Sequence, residues 1–252
     1  MSPAAPPPPD ATPALAVTGL SKLFGGLRAV SECSFEIAPA TIVGLIGPNG
    51  SGKTTVFNLI TNLLRPDAGA VYFHGARIDG LKTYEIARRG IGRTFQSVKI
   101  FRELSVWDNL SIAAMGRERV GWEPTATAWL ERLGLDHLRE DPGESLSVGQ
   151  QRLLELAMNL VVDPPFLMLD EPLAGVHPVV RQRIAETIRA LRREGRTFLI
   201  IEHDMAFVME LCDKLVVMDH GLKIAEGPPE AIRRDPAVID ALLGRRRDPA
   251  LA

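Results

Sequence analysis

Gly47-Pro48-Asn49-Gly50-Ser51-Gly52-Lys53-Thr54 is the stretch of this chain whose chemistry is most legible. It fits G-x-x-x-x-G-K-[ST] and lies between a strand-like apolar run, Thr41 to Ile46, and a helix-like run, Thr55 to Leu64. Small residues let the backbone form a nest of inward N–H groups. The following helix adds its positive end, and Lys53 supplies a point charge for the outer phosphates. The expected ligand is a nucleoside triphosphate, with Thr54 positioned to ligate its Mg²⁺.

A second chemical stretch is Phe166-Leu167-Met168-Leu169-Asp170-Glu171-Pro172, an apolar strand ending in two carboxylates. A buried strand would carry Asp170 to the sheet edge that holds the phosphate loop, where it can bind Mg²⁺ directly or through water. Glu171 beside it can orient and deprotonate a water attacking the γ-phosphate. The competing reading of these residues alone is an exposed acidic turn closed by Pro172. A third stretch, Leu146 to Gln151, opens a helix with Ser147 as cap and Gly149 keeping the first turn free of bulk. It is either an ordinary N-cap or a second phosphate-binding helix end.

The elements that must position these residues follow from periodicity. Short β-branched runs (Leu15 to Thr18, Cys33 to Ile37, Thr41 to Ile46, Ala70 to Phe73) make the early part strand-rich. Later, helix-like stretches Val148 to Val162, Pro178 to Glu194 and Met205 to Cys212 alternate with strands Phe166 to Leu169, Thr197 to Ile201 and Lys214 to Met218. That alternation predicts a parallel sheet with its ligand at the strand C-terminal ends. Val106 to Leu138 reads as helices, with Trp129, Leu130, Leu133 and Leu135 on one apolar face, so residues 97 to about 162 form a helical lobe inserted into the core.

Composition narrows the function classes. The 252 residues allow one large domain or a domain plus a lobe. A net charge of −2, with Arg245-Arg246-Arg247 as the one basic run, gives no sign of a nucleic-acid groove. Cys33 and Cys212 lack metal-type spacing and suit small buried thiols in a reducing cytosol. Apolar stretches fall far short of the ~20 residues that span a bilayer, so any membrane role must come through a partner. Residues 1 to 13, rich in Pro and Ala, read as a disordered leader rather than a signal peptide, and 245 to 252 as a tail.

In order along the chain, the phosphate loop, Gln96, the Ser147 segment, Asp170-Glu171 and His203 resemble the nucleotide-binding domain of ATP-binding cassette (ABC) transporters, from about residue 14 to 244. The resemblance implies a P-loop NTPase of ABC type: an α/β domain with an N-terminal antiparallel β part and an inserted helical lobe. It assigns Phe24 to stack on adenine, Gly47 to Thr55 to the phosphates, and Thr54, Gln96 and Asp170 to Mg²⁺. Ser147, Gly149 and Gln150 belong to the signature segment that meets the γ-phosphate bound by the opposite protomer. Glu171 becomes the general base and His203 the γ-phosphate switch. Bland alternatives remain for single residues: Phe24 as core, Gln96 as a solvated strand end, and His203 as a structural histidine on a sheet edge made polar by Glu202 and Asp204.

Val148 stands where many members have glycine, and His177 where an Asp is common, which puts communication through the loop from Leu173 to Pro178 in question. Phe24 to Leu27, Arg93 to Gln96, Ala174 to Pro178, Ile201 to Met205 and the tail pattern from Gly227 to Gly244 look like the first ATPase subunit of branched-chain amino acid importers, a group that includes amide and organic-acid carriers. The expected partners are two integral-membrane permease subunits, a second ATPase subunit or a second copy in a head-to-tail dimer, and an external solute-binding protein. The expected location is the cytoplasmic face of the inner membrane. Two alternatives are the ATPase of lipopolysaccharide export, which shares the Ala87 to Gly92 stretch, and a soluble non-transport ABC ATPase.

Overall fold

The computed structural model describes residues 12–115 and 121–243. The leader up to residue 11, Gly244 and the tail with its arginine run lie outside the described residues. The strands are β1 (Leu15–Phe24), β2 (Leu27–Ile37), β3 (Ile42–Ile46), β4 (Ala68–Phe73), β5 (Ala76–Arg77), β6 (Ile91–Arg93), β7 (Phe166–Asp170), β8 (Thr197–Ile201), β9 (Lys214–Asp219) and β10 (Leu222–Gly227). The helices are α1 (Lys53–Ile60), α2 (Thr83–Arg88), α3 (Val106–Met115), α4 (Glu123–Leu133), α5 (Val148–Leu160), α6 (Pro178–Arg193), α7 (Met205–Leu211), α8 (Pro229–Ile232) and α9 (Pro236–Leu242).

Two sheets carry the fold. An antiparallel sheet has the order β2-β1-β4-β5, and a six-stranded sheet has the order β10-β9-β3-β8-β7-β6, parallel except for β10. The parallel strands are apolar in unbroken runs because both of their faces are covered. Along β7, Phe166 and Met168 point to one cluster with α1 and the antiparallel sheet, while Leu167 and Leu169 point to another with α5, α6 and α7. β8 divides likewise: Leu199 and Ile201 against Phe198 and Ile200. At Gly44 in β3 a Cβ would stand 2.7 Å from Leu215 Cδ2, so β9 packs where a side chain would be.

The sheet order β3-β8-β7-β6 matters most. It sets side by side the C-terminal ends that lead into the phosphate loop, His203, Glu171 and Gln96. The helical stretch is tied to the second cluster: Leu110, Leu130, Leu133 and Leu135 are buried with Leu153 and Leu156 of α5. Trp129 departs from the expected apolar face. It is only partly buried, and the Arg132 guanidinium lies 4.9 Å from its ring centroid. Both cysteines are buried and unpaired, and burial raises the Cys33 thiol to about 11. Among the described residues no helix is long and apolar enough to cross a membrane.

Candidate functional site

The phosphate loop follows β3 without a break. Gly47 has φ +147°, and a Cβ there would lie 2.0 Å from the Met218 carbonyl oxygen. Gly52 has φ +102°, with the Ala29 carbonyl oxygen 2.5 Å from its virtual Cβ. Each is a close backbone approach that excludes side chains. The helix begins at Lys53, earlier than the apolar periodicity from Thr55 suggests, because the loop's last residues are already helical. No side chain caps its first turn, so its leading N–H groups are left without a side-chain partner at the loop. Lys53 is buried, and its ammonium donates to the Gly47 and Pro48 carbonyl oxygens, both at 2.8 Å. Burial lowers its pKa, against the pull of Glu171 and Asp170.

Asp170 ends β7 and is 2 % exposed. Its backbone N–H donates to Thr94 Oγ1 at 3.1 Å, its Oδ2 lies 3.9 Å from Arg93, and its Oδ1 is buried without a hydrogen-bond partner. Burial raises its pKa, with Arg93 opposing. Glu171 takes the left-handed conformation, φ +47°, with its N–H donating to the Ile201 carbonyl at 2.9 Å. That turn aims its carboxylate away from the strand: Oε2 lies 3.5 Å from Gln96 Nε2 and Oε1 lies 3.8 Å from His203 Nδ1.

Lys53, Gln96 and Glu171 rim one cavity of about 550 Å³, a volume suited to a nucleotide-sized ligand, while Asp170 is not part of its wall. Phe24 on its edge is 45 % exposed, so it is not a core residue; Asn49, Gly50 and Gly52 to Thr55 also line it, while Ser51 is buried. His203 is exposed and joins through its contact with Glu171 rather than through the wall. Leu27 and Ala29 line it as well, and so do Arg28, His220 and Gly221, which had no motif to mark them.

The signature segment is elsewhere. Ser147 caps α5 as expected: its Oγ accepts from the Gln150 N–H at 3.3 Å, and its own N–H donates to Gln150 Oε1 at 2.8 Å. Ser147 and Val148 are exposed, and none of Ser147, Gly149 and Gln150 lines the cavity. Gly149 lets α6 approach, since a Cβ there would lie 3.0 Å from Val180 Cγ2. One turn further along α5, Arg152 and Glu155 are buried together and grip the Gln96 loop. Arg152 donates to the Phe95 and Gln96 carbonyls, while Glu155 accepts from the Phe95 and Lys99 N–H groups at 3.4 and 3.1 Å. Their i,i+3 spacing was visible in the sequence, but only the fold gives them the loop as partner.

His177 accepts from the Val179 N–H at 3.4 Å and serves as the N-cap of α6. The polar sheet edge expected beside His203 is half right. Asp204 caps α7 at the surface, but Glu202 is 1 % exposed. It is buried because three backbone N–H groups converge on its carboxylate, from Leu173, His203 and Asp204.

A parallel sheet with a phosphate loop, an acidic strand end and a helix start turned outward defines a P-loop ATPase. The family profile described as "ABC transporter" matches residues 30–174, and the one described as "Branched-chain amino acid ATP-binding cassette transporter" matches residues 223–248. The high-affinity branched-chain amino acid transport ATP-binding protein LivG of Escherichia coli K12 is 42 % identical, over 92 % of this chain and 98 % of that protein. The corresponding protein BraF of Pseudomonas aeruginosa is 40 % identical over the same shares. A solved nucleotide-free ATP-binding cassette superposes with a TM-score of 0.84 at 33 % identity, covering 91 % of this chain and 98 % of its own. A cassette in its ADP conformation gives 0.84 and 33 %, covering 92 % and 99 %. The chain belongs to the ABC transporter family, as an ATP-binding, ATP-hydrolysing subunit.

Proposed function

We propose that the chain drives an importer for branched-chain amino acids or related amides and organic acids, by closing on ATP as one half of a head-to-tail dimer. The observation that carries this reading is the split site: the phosphate loop, Glu171 and His203 gather at adjacent strand ends, while the α5 start lies outside their cavity, with Ser147 and Val148 exposed. The names of the relatives support the solute class. A site whose two halves point apart needs a second protomer, either another copy or a second ATPase subunit.

In this reading Gly47 to Thr55 hold the phosphates and Phe24 stacks on the adenine. Glu171 takes a proton from the attacking water, and His203 holds the γ-phosphate. The residues fit Mg²⁺: Asp170 has a buried oxygen without a partner, and Thr54 is an exposed hydroxyl-bearing residue in the first turn of α1. When bound the ion would neutralise charge on the β- and γ-phosphates, with Thr54, Asp170 and Gln96 as its protein side. The domain runs from about residue 14 to 244, with a helical lobe from about 97 to 162.

The subunit works at the cytoplasmic face of the inner membrane, held there by two permease subunits. Phe101 and Leu104 are exposed apolar residues on the loop that α5 grips. An apolar cleft of about 360 Å³ between α2, α3 and α5, lined by Leu63, Ile86, Phe95, Ala113 and Met158, lies beside that loop. Both support docking of a membrane helix there. Co-expression with the permease pair and the second ATPase tests the reading. Hydrolysis should then respond to solute-loaded binding protein, and polar substitution of Phe101 or Leu104 should uncouple transport while sparing basal ATPase activity. Failure to co-purify with any permease would overturn it.

A further inference from the structure

Glu202 follows β8 and is among the most buried acids in the chain, at 1 % exposure, with no lysine or arginine at ion-pairing distance among the described residues. A carboxylate in such a place is tolerated only when backbone donors replace the water it has lost. The donors come from two separate loops. Oε1 accepts from the Leu173 N–H at 3.0 Å; Oε2 accepts from the His203 N–H at 3.2 Å and the Asp204 N–H at 3.5 Å. The same two loops meet again on their far side. Arg181, in the first turns of α6, pairs with Asp204, while His177 caps α6 between. The segment from Glu171 to His177 is therefore fastened to the His203 segment at Leu173 and, beyond its far end, through Arg181 of α6.

We propose that Glu202 is a positioning residue that holds the Glu171 loop and the His203 loop as one body, so that force on the exposed turn at Gly175 to His177 reaches both side chains at the nucleotide. This rests on the reading of Glu171 as base and His203 as switch. The geometry supplies the reason. Glu171 Oε1 and His203 Nδ1 are 3.8 Å apart, too far for a hydrogen bond, and His203 is exposed, so their spacing is fixed by the backbone. Within that backbone, the Glu202 carboxylate accepts from N–H groups of both loops. The turn from Gly175 to His177 is on the outside, where a neighbouring protomer can press on it. The expected Asp at position 177 is replaced by a histidine occupied in capping α6, and the buried clamp offers a route for coupling that does not need it.

Glu202→Gln is the informative variant. It keeps the shape, but its amide has one acceptor and presents donors to the other loop's N–H, so one of the two attachments must fail. In the full-length protein the expected result is a kcat lowered by about tenfold or more with the ATP KM within about twofold of the parent. Hydrogen exchange should rise in peptides covering 171–176 or 203–206 and stay unchanged over 47–55. A kcat within about threefold of the parent overturns the proposal. So does a parallel loss of kcat, ATP affinity and melting temperature, which would make Glu202 a packing residue only. Glu171→Gln and His203→Ala run alongside: if both retain parental turnover, the reading of the site has failed, whereas normal loss in those two with no effect of Glu202→Gln sinks this inference alone.

Discussion

The chain contains two glycine-bearing helix starts, at α1 and α5, and they are built in opposite ways. At α1 no side chain caps the first turn, the loop before it is pressed against the Met218 and Ala29 carbonyls, and Lys53 is buried. At α5 the Ser147 and Gln150 side chains close a reciprocal capping box, and Ser147 and Val148 stand in solvent. A helix start leaves N–H groups without partners. In the function proposed, the α1 end leaves that demand to a ligand within a cavity of its own protomer, whereas the α5 end meets it internally. On that proposal, capping separates the half of the site built within one protomer from the half offered to a partner.

The sharpest way to break this contrast is at Lys53. Lys53→Ala should lower ATP affinity by about a hundredfold or more, because a buried cation is lost from a site built to neutralise phosphate. Calorimetry checks it, and unchanged affinity would refute the ligand-bound role of the α1 end. Glu171→Gln should leave affinity unaltered yet lower turnover by about two orders of magnitude, leaving an ATP-bound dimer that elutes early in size-exclusion chromatography with Mg²⁺.

Ser147→Ala probes the other end. It should leave nucleotide affinity of the isolated protomer untouched, cost about 1 kcal/mol of stability through the lost cap, and reduce hydrolysis about tenfold. A titration of rate against protein concentration would reveal whether the loss is in dimer closure. The smallest effect concerns Asp204, whose bonds to Arg181 and the Phe207 N–H hold its pKa at about 2, below the ordinary 3.8. A depressed acid stabilises the fold fully above its unfolded pKa and loses that contribution as pH falls through its folded value. Thermal melts of the parent and Asp204→Asn should therefore differ at neutral pH and converge between about pH 4 and pH 2.

What the sequence made legible was what is local. The loop from Gly47 to Thr54 carries its own geometry in glycine spacing, and β7 and β8 are apolar runs whose ends could be read to the residue or nearly so. β6 escaped because three residues, Ile91 to Arg93, are too few for any periodicity. β10 escaped because Lys223 and Glu226 interrupt it; its strand state comes from pairing with β9 and from ion pairs to Lys214 and Lys223. Side chains whose partners are remote were also out of reach. Glu155 and Glu202 look like ordinary surface acids until the fold brings backbone donors from other loops onto them. Arg28, His220 and Gly221 reach the cavity only because β2 and the β9–β10 turn close over the phosphate loop.

The left-handed backbone at Glu171 also bears on how this molecule tolerates change. A residue with a Cβ at φ +47° gives up about 1 kcal/mol or more that glycine would keep. Replacing Glu171 by Gly should accordingly yield a protein that melts higher than the Glu171→Ala protein while hydrolysing ATP no better. Drift toward greater robustness at this position leads away from turnover. If Glu171 is the base proposed, a screen for thermostability alone would therefore collect inactive proteins here, and only a screen that reads hydrolysis would keep the side chain at the turn.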